Sequence, residues 1–492
     1  MRIINGVITT LGIAVTLIGA PSIATAQNPL PEASPSESTA PEATSPVAPE
    51  AEAPLPTTTP TDATAAQATE AYADGVENLE ERDYNDAIAD FDEAIRANPS
   101  LANAYLYRGV ARAATGDQAG AIADYNQALE LDPTAMDAYF HRGVAHYSLG
   151  DSAQAMADFD QAIASNTNNA AAYFYRGVLH YNGGNQDSAT TDFNQAIQLK
   201  PDYAEAYLHR GVIRAAQSDP QGAIADFDRA VEIRPNYAAA YLNRGSTQFT
   251  LGNREAALED FNQAVRFNDD SAVAYFNRGF ILSTLGNRQR AVDDFSQAIE
   301  LQPDYAQAYF SRGVVQASLG NTENALSDFN QAIAIDPDYA EAYKHRGDLL
   351  ADSENYREAI EDYSNALEIR SDYAEAYSAR ADARVALGDT SGADQDLTRA
   401  ISFNPGNAQA FSERGDIRSE LGDPQGALSD YSRAIEMNPN DADAHYNRGL
   451  LRAELGNRQS ALEDFRRAAE LYMQMGSAQG YRNALAEINR LR

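Results

Sequence analysis

Between residues 204 and 237 the small and aromatic positions fall into two helical stripes. Tyr207 and Gly211 stand four apart on the first, and Ala223, Phe227 and Ala230 stand four and three apart on the second. Such spacing keeps side chains on one face of an α-helix. It predicts helices over 204–217 and 220–233, separated at Ser218-Asp219. Pro220 suits a first helical turn, where its missing N–H costs nothing. The second helix ends before Pro235, because the residue preceding a proline disfavours the α region.

The same 34-residue phrase recurs without insertion or deletion, in twelve copies that begin at Ala68, Ala102, Met136, Ala170, Ala204, Ala238, Ala272, Ala306, Ala340, Ala374, Ala408 and Ala442. Most copies break at Gly followed by Asp or Asn, as at Gly150-Asp151 and Gly286-Asn287. Glycine accepts the left-handed conformation that ends one helix, and Asp or Asn caps the next. Ala holds positions twenty and twenty-seven of every copy, and Gly holds position eight in all but one, where Ala381 replaces it. Small residues there let the paired helices approach closely. A fixed period of this length means stacked repeats, in which each unit packs only on its neighbours.

The copy at 204–237 resembles the tetratricopeptide repeat. It supplies that family's aromatics as Tyr207 and Phe227, its small residue as Gly211, its alanines as Ala223 and Ala230, and its proline as Pro235. The resemblance implies an all-α fold: a right-handed superhelical solenoid of antiparallel helix pairs. It implies that the concave face binds a peptide or protein, and it implies no catalysis. The repeats span 68–475. The first copy departs from the rest, with Ala71 in place of tyrosine and Asp74 in place of arginine. Over 476–492, Tyr481, Leu485, Ile488 and Leu491 at helical spacing predict a C-terminal capping helix.

One polar pattern is as regular as the apolar one. Asp stands at position twenty-three of every copy, including Asp158, Asp192 and Asp226, and Arg at position seven of all but the first, including Arg142, Arg176 and Arg210. Both positions adjoin packing residues, and buried charges need partners. We therefore expect a structural Arg–Asp ladder rather than an anion-binding stripe.

Positions five, nine and twelve of the first helix form a stripe offset from the packing stripe. By the family resemblance it lines the concave groove. It is apolar in copies two to eight, with Phe140, Phe174, Phe276 and Phe310 at position five, Val144 and Val178 at nine, and Tyr147 and Tyr181 at twelve. Copies nine to eleven replace this with Lys344, Ser378 and Ser412 at position five and Asp348, Asp382 and Asp416 at position nine. The expected partner is a protein or peptide with an apolar part, held by the phenylalanines, and a basic part, held by the aspartates. A competing expectation is that the apolar stripe packs between successive repeats.

The front of the chain differs. Residues 1–26 read as a signal peptide: Arg2, an apolar run, and Ala24-Thr25-Ala26 as the cleavage pattern. Export to the periplasm or the extracellular space is expected, with membrane anchoring by an uncleaved N-terminal helix as the alternative. Residues 27–67 hold nine prolines and no Lys, Arg or aromatic residue. Such a segment buries too little to offset chain entropy, so a disordered linker is expected.

Charge and composition then narrow the function. The net charge is −35, from 72 acidic and 37 basic residues, which disfavours nucleic acid and anionic membranes as partners. With no Cys, disulfides and thiolate chemistry are excluded. His141, His146, His180, His209, His345 and His445 sit at repeat positions four, six or eleven, with no third ligand to suggest a metal site. No phosphate loop, dinucleotide fingerprint or calcium loop occurs. No catalytic residue, metal or cofactor is expected. The reading is an exported interaction scaffold; the alternative is a structural or self-assembling cell-envelope module without a dedicated peptide ligand.

Overall fold

The structure, a computed structural model, describes residues 62–492. The expected signal peptide and most of the expected linker lie outside them. Among the described residues there are twenty-five helices and no strand. In the copy at 204–237 they run Ala204–Ala216 and Pro220–Ile233. The first helix of the array, Asp62–Glu80, begins inside the stretch expected to be linker. Residues 62–67, Asp-Ala-Thr-Ala-Ala-Gln, are rich in the best helix former, and Gln67 donates from Nε2 to Glu93 Oε1 at 2.8 Å. Local propensity and one contact to the next helix extend the array beyond the repeat boundary.

The turn within each copy needs a left-handed residue. Gly252, at φ +84°, is representative. Arg82, Ser218 and Glu354 adopt the same conformation without being glycine, at φ 66°, 63° and 62°. Capping is narrower than the sequence implies. Asp117, Asp219, Asp389 and Asp423 accept from the backbone N–H three residues on, which in each case belongs to a glycine. A Cβ at Gly222 would lie 2.0 Å from Asp219 Oδ2, so a side chain there collides with this carboxylate placement. Asp151, Asn253, Asn287 and Asn321 precede other residues and make no such bond; Asn185, which caps onto Ser188, does so at a longer 3.3 Å.

Glycine at position eight has a different cause. A Cβ on Gly211 would sit 2.6 Å from Phe227 Cε1, so the aromatic ring occupies the space of the missing side chain. The exception supports this reading. The copy at 374–407 carries Ala381, and it is the copy whose position twenty-four is Leu397 instead of an aromatic residue. Both are buried.

The described chain forms two compact units, residues 62–269 and 270–492. In the first, Phe159, Phe193, Tyr175 and Tyr203 belong to one buried cluster with the alanines at positions twenty and twenty-seven. In the second, Phe310, Phe329, Ala325 and Ala332 form an equivalent cluster. Contacts within each unit run between successive helices, with few beyond. The second unit ends in a longer helix, Arg458–Gln474, followed by Ala478–Leu491, which buries Ala484 and Ile488. No described helix is long and apolar enough to cross a membrane.

Candidate partner-binding site

The apolar stripe of the first helices is mainly interior. Phe276 is fully buried, and Phe174, Val178 and Phe310 are also buried. Each phenylalanine is wedged between two rings of its own copy. Phe276 lies 5.6 Å from Phe295 and 5.0 Å from Tyr305; Phe310 lies 5.8 Å from Phe329 and 4.9 Å from Tyr339; Phe174 lies 5.9 Å from Phe193 and 4.9 Å from Tyr203. The expectation that these residues anchor a partner is thus corrected: the position-thirty-four tyrosine covers them. Sequence periodicity gives the helix face but not this ring, which arrives from the segment after the second helix. Phe140, Val144, Tyr147 and Tyr181 are half-buried and pack against the same core as Phe174.

The ladder pairs are present and bidentate. Arg142 donates from Nε and Nη2 to the two oxygens of Asp158 at 2.9 and 2.6 Å. Arg176 does so to Asp192 at 3.0 and 2.7 Å, and Arg210 to Asp226 at 2.9 and 2.6 Å. The remaining Nη1 reaches back to position twenty-five of the preceding copy: Asn126 for Arg142, Asp160 for Arg176, Asn194 for Arg210. Each arginine therefore joins two repeats. The ladder arginine also lies over the tyrosine one turn earlier, as Arg210 does over Tyr207 at 5.4 Å, a cation–π contact. A second basic residue was not anticipated. Arg112, Arg214, Arg384, Arg418 and Arg452, at position eleven, each place Nη1 2.8–2.9 Å from Oδ2 of the same aspartate. Its signal in the sequence was an arginine at position eleven in only some copies.

The acidic row of the second unit is more open. Asp348 accepts from Lys344 Nζ at 2.7 Å and from the Tyr363 hydroxyl at 3.1 Å. Asp416 accepts from the Tyr431 hydroxyl at 2.6 Å and from Asn447 Nδ2 at 2.8 Å. Asp382, between them in the repeat order, has no tyrosine available because position twenty-four of its copy is Leu397. It is exposed to solvent. The protein around it nevertheless displaces enough water to push its carboxyl up to about 6. Glu413 on the next first helix is pushed up to about 7, by burial first and then by the charge of Asp382. Burial also raises Asp352 and Asp416. Glu413 was not named from the sequence; its neighbourhood with Asp382 depends on how two repeats stack.

The histidines pack. His209 stacks on Phe193 at 5.5 Å and His345 on Phe329 at 6.1 Å. Burial pushes both imidazoles down to about 4, leaving them neutral at ordinary pH. No group of three His, Cys, Asp or Glu suited to a metal occurs among the described residues.

The fold is thus that of a helical-repeat protein, with a half-open acidic row as its most distinctive polar feature. The tetratricopeptide-repeat profile matches residues 140–204, 184–238, 216–273, 276–340 and 412–475, and a second profile, described as TPR repeat, matches 111–150 and 347–388. The chain belongs to the tetratricopeptide repeat family. Among solved structures it is similar to YrrB, described as a TPR protein with an unusual peptide-binding site, at 26% identity over 37% of this chain and 95% of that one, TM-score 0.34. It is similar to MamA at 28% identity over 34% and 96%, TM-score 0.32, and to yeast Tom70 at 17% identity over 86% and 96%, TM-score 0.33. At such scores these likenesses carry no argument of their own. No curated protein matches the chain.

Proposed function

We propose that this chain is an exported protein–protein interaction scaffold whose second unit holds a basic segment of a peptide or protein along Asp348, Asp382 and Asp416. The observation that carries the reading is Asp382: exposed, without a hydrogen-bond partner among the described residues, and surrounded by protein that makes its charge costly. A lysine or arginine of a partner would relieve that cost. In the first unit, Phe140, Val144, Tyr147 and Tyr181 retain some accessible surface and would add a shallow apolar contact. Export rests on Ala24-Thr25-Ala26 behind the apolar run.

The test is surface-plasmon kinetics of the full mature chain against extended lysine- and arginine-bearing peptides, at several salt concentrations. Changing Asp348, Asp382 and Asp416 together to Asn is expected to lower the on-rate and flatten its salt dependence. Unchanged kinetics at low salt would reduce the row to a solvated face. N-terminal sequencing of the native protein checks export and is expected to begin at Gln27; an intact Met1 in the membrane fraction would replace export in solution by anchoring. The self-assembling alternative has one observation in its favour, the exposure of Met473 and Met475 near the C-terminal end, at 62% and 69%. Light scattering of the wild type beside a Met473→Ser/Met475→Ser variant separates the two readings.

A further inference from the structure

A polar depression of about 250 Å³ lies in the second unit, lined by Ser296, Arg312, Gln316, Asn324, Ser327 and Asp328. We infer that it receives an arginine side chain presented by a partner protein. The reading goes beyond the acidic row and uses none of its residues.

The repeats themselves supply the template. In three other copies of this unit an arginine at position eleven sits on the ladder aspartate: Arg384 on Asp396, Arg418 on Asp430 and Arg452 on Asp464, at 2.8–2.9 Å. Arg384 Nη1 also donates at 3.0 Å to the carbonyl of Gly392, at position nineteen. The copy at 306–339 retains the surrounding parts. Arg312 donates from Nε and Nη2 to Asp328 at 3.0 and 2.7 Å, and from Nη1 to Ser296 at 3.0 Å, as Arg380 does to Asp396 and Ser364. Asn324 stands at position nineteen. Asn321 and Asn324 stand where the Arg384 copy has Asp389 and Gly392, much as Asn457 and Ser460 do in the Arg452 copy, and the position-eleven arginine is missing. Gln316 replaces it, and its Oε1 accepts from Asn321 Nδ2 at 2.7 Å, which holds the side chain toward the turn.

The acceptors therefore stand ready. Among the described residues each oxygen of Asp328 receives one donor, both from Arg312, and a carboxylate oxygen has two lone pairs. In two template copies Oδ2 takes a second donor, from Arg418 Nη1 at 2.9 Å and from Arg452 Nη1 at 2.8 Å, and in the third Arg384 Nη1 lies 2.9 Å from it. Access is not obstructed: the template arginines keep about a quarter of their side-chain surface exposed, 23% for Arg384 and Arg418 and 26% for Arg452. A guanidinium suits the site better than an ammonium, because it is planar and more weakly hydrated, and every template occupant is an arginine. Copies with Leu282 and Leu350 at position eleven have an apolar side chain instead and lack this chemistry.

The probe is blocked arginine, N-acetyl-arginine N-methylamide, titrated into the full mature chain while the Arg312 Nε–H resonance is followed. Blocked lysine is the control. We expect a saturable shift with the arginine compound, in the millimolar range appropriate to a single side chain, and none with lysine. Gln316→Arg fills the depression from within and is expected to abolish the response. Gln316→Leu, a residue other copies carry there, is expected to abolish it too with the fold retained. Asp382→Asn is expected to leave it unchanged, which separates this site from the acidic row. No saturable shift, an equal shift with lysine, or an undiminished response in Gln316→Arg would each overturn the inference.

Discussion

Removing one ladder arginine should cost very different amounts in two copies that look alike in sequence. Arg346 donates to both oxygens of Asp362 at 2.8 and 2.6 Å, and among the described residues it is the sole cation on that carboxylate, since position eleven of its copy is Leu350. Arg210 holds Asp226 in the same way, but Arg214 Nη1 also reaches Asp226 at 2.8 Å. The aspartates are equally hidden, with side-chain exposures of 5% and 4%. Arg346→Ala strands a buried carboxylate, a loss of about 3–5 kcal/mol. Arg210→Ala removes charged hydrogen bonds while a cation remains, about 1.5–3 kcal/mol. Both variants also lose a cation–π contact, to Tyr343 and Tyr207 at 5.5 and 5.4 Å, so that term cancels in the comparison. Arg254→Ala, at an exposed position near the turn, should change stability by no more than about 0.5 kcal/mol. A repeat array need not unfold in one step. The assay is therefore hydrogen exchange resolved to individual helices, with protection of Tyr356–Ile369 compared against Pro220–Ile233. Equal loss in the Arg346 and Arg210 variants would refute the role given to Arg214, and equal loss in all three would refute the buried ladder.

The remaining predictions are local. Asn277 is fully buried and neither amide atom has a partner among the described residues, so Asn277→Leu should stabilise by about 1–3 kcal/mol, read from the denaturation midpoint; a loss would show that the amide is satisfied in solution. Gly211→Ala should destabilise because its Cβ meets Phe227, and Phe227→Leu in the same chain should recover much of the loss, reproducing the Ala381/Leu397 pair; thermal melts of both variants and the double variant decide it. The carboxyls of Asp382 and Glu413, pushed up to about 6 and about 7, bind protons more tightly folded than unfolded. Their contribution is therefore fully present below their ordinary range near pH 4 and is lost as pH rises through 6 to 7. Stability of the wild type minus that of an Asp382→Asn/Glu413→Gln variant, followed from pH 4 to 8, should fall with pH; a flat difference would remove the electrostatic basis of the acidic row.

The sequence determined the architecture by itself because the repeat makes every local signal recur. Alanine, glycine and aromatic residues at fixed positions specify helix pairs, and the matched frequencies of Arg and Asp specify the ladder. The pairing of Ala381 with Leu397 shows that even the glycine rule was readable, since one copy carries both exceptions. Exposure was not readable. Phe276 and Phe310 occupy the stripe assigned to a groove, and they are buried because Tyr305 and Tyr339 fold back over them, a contact between segments that helical periodicity does not encode. Charge density was legible in Asp348, Asp382 and Asp416, but its cost was not. Asp348 and Asp416 have tyrosyl donors while Asp382 has none among the described residues, and Glu413 adds to the local charge only because neighbouring repeats stack. Side-chain pattern fixes which face of a helix is apolar; only the packing of successive elements decides which part of that face still meets water and which carboxylate has a partner.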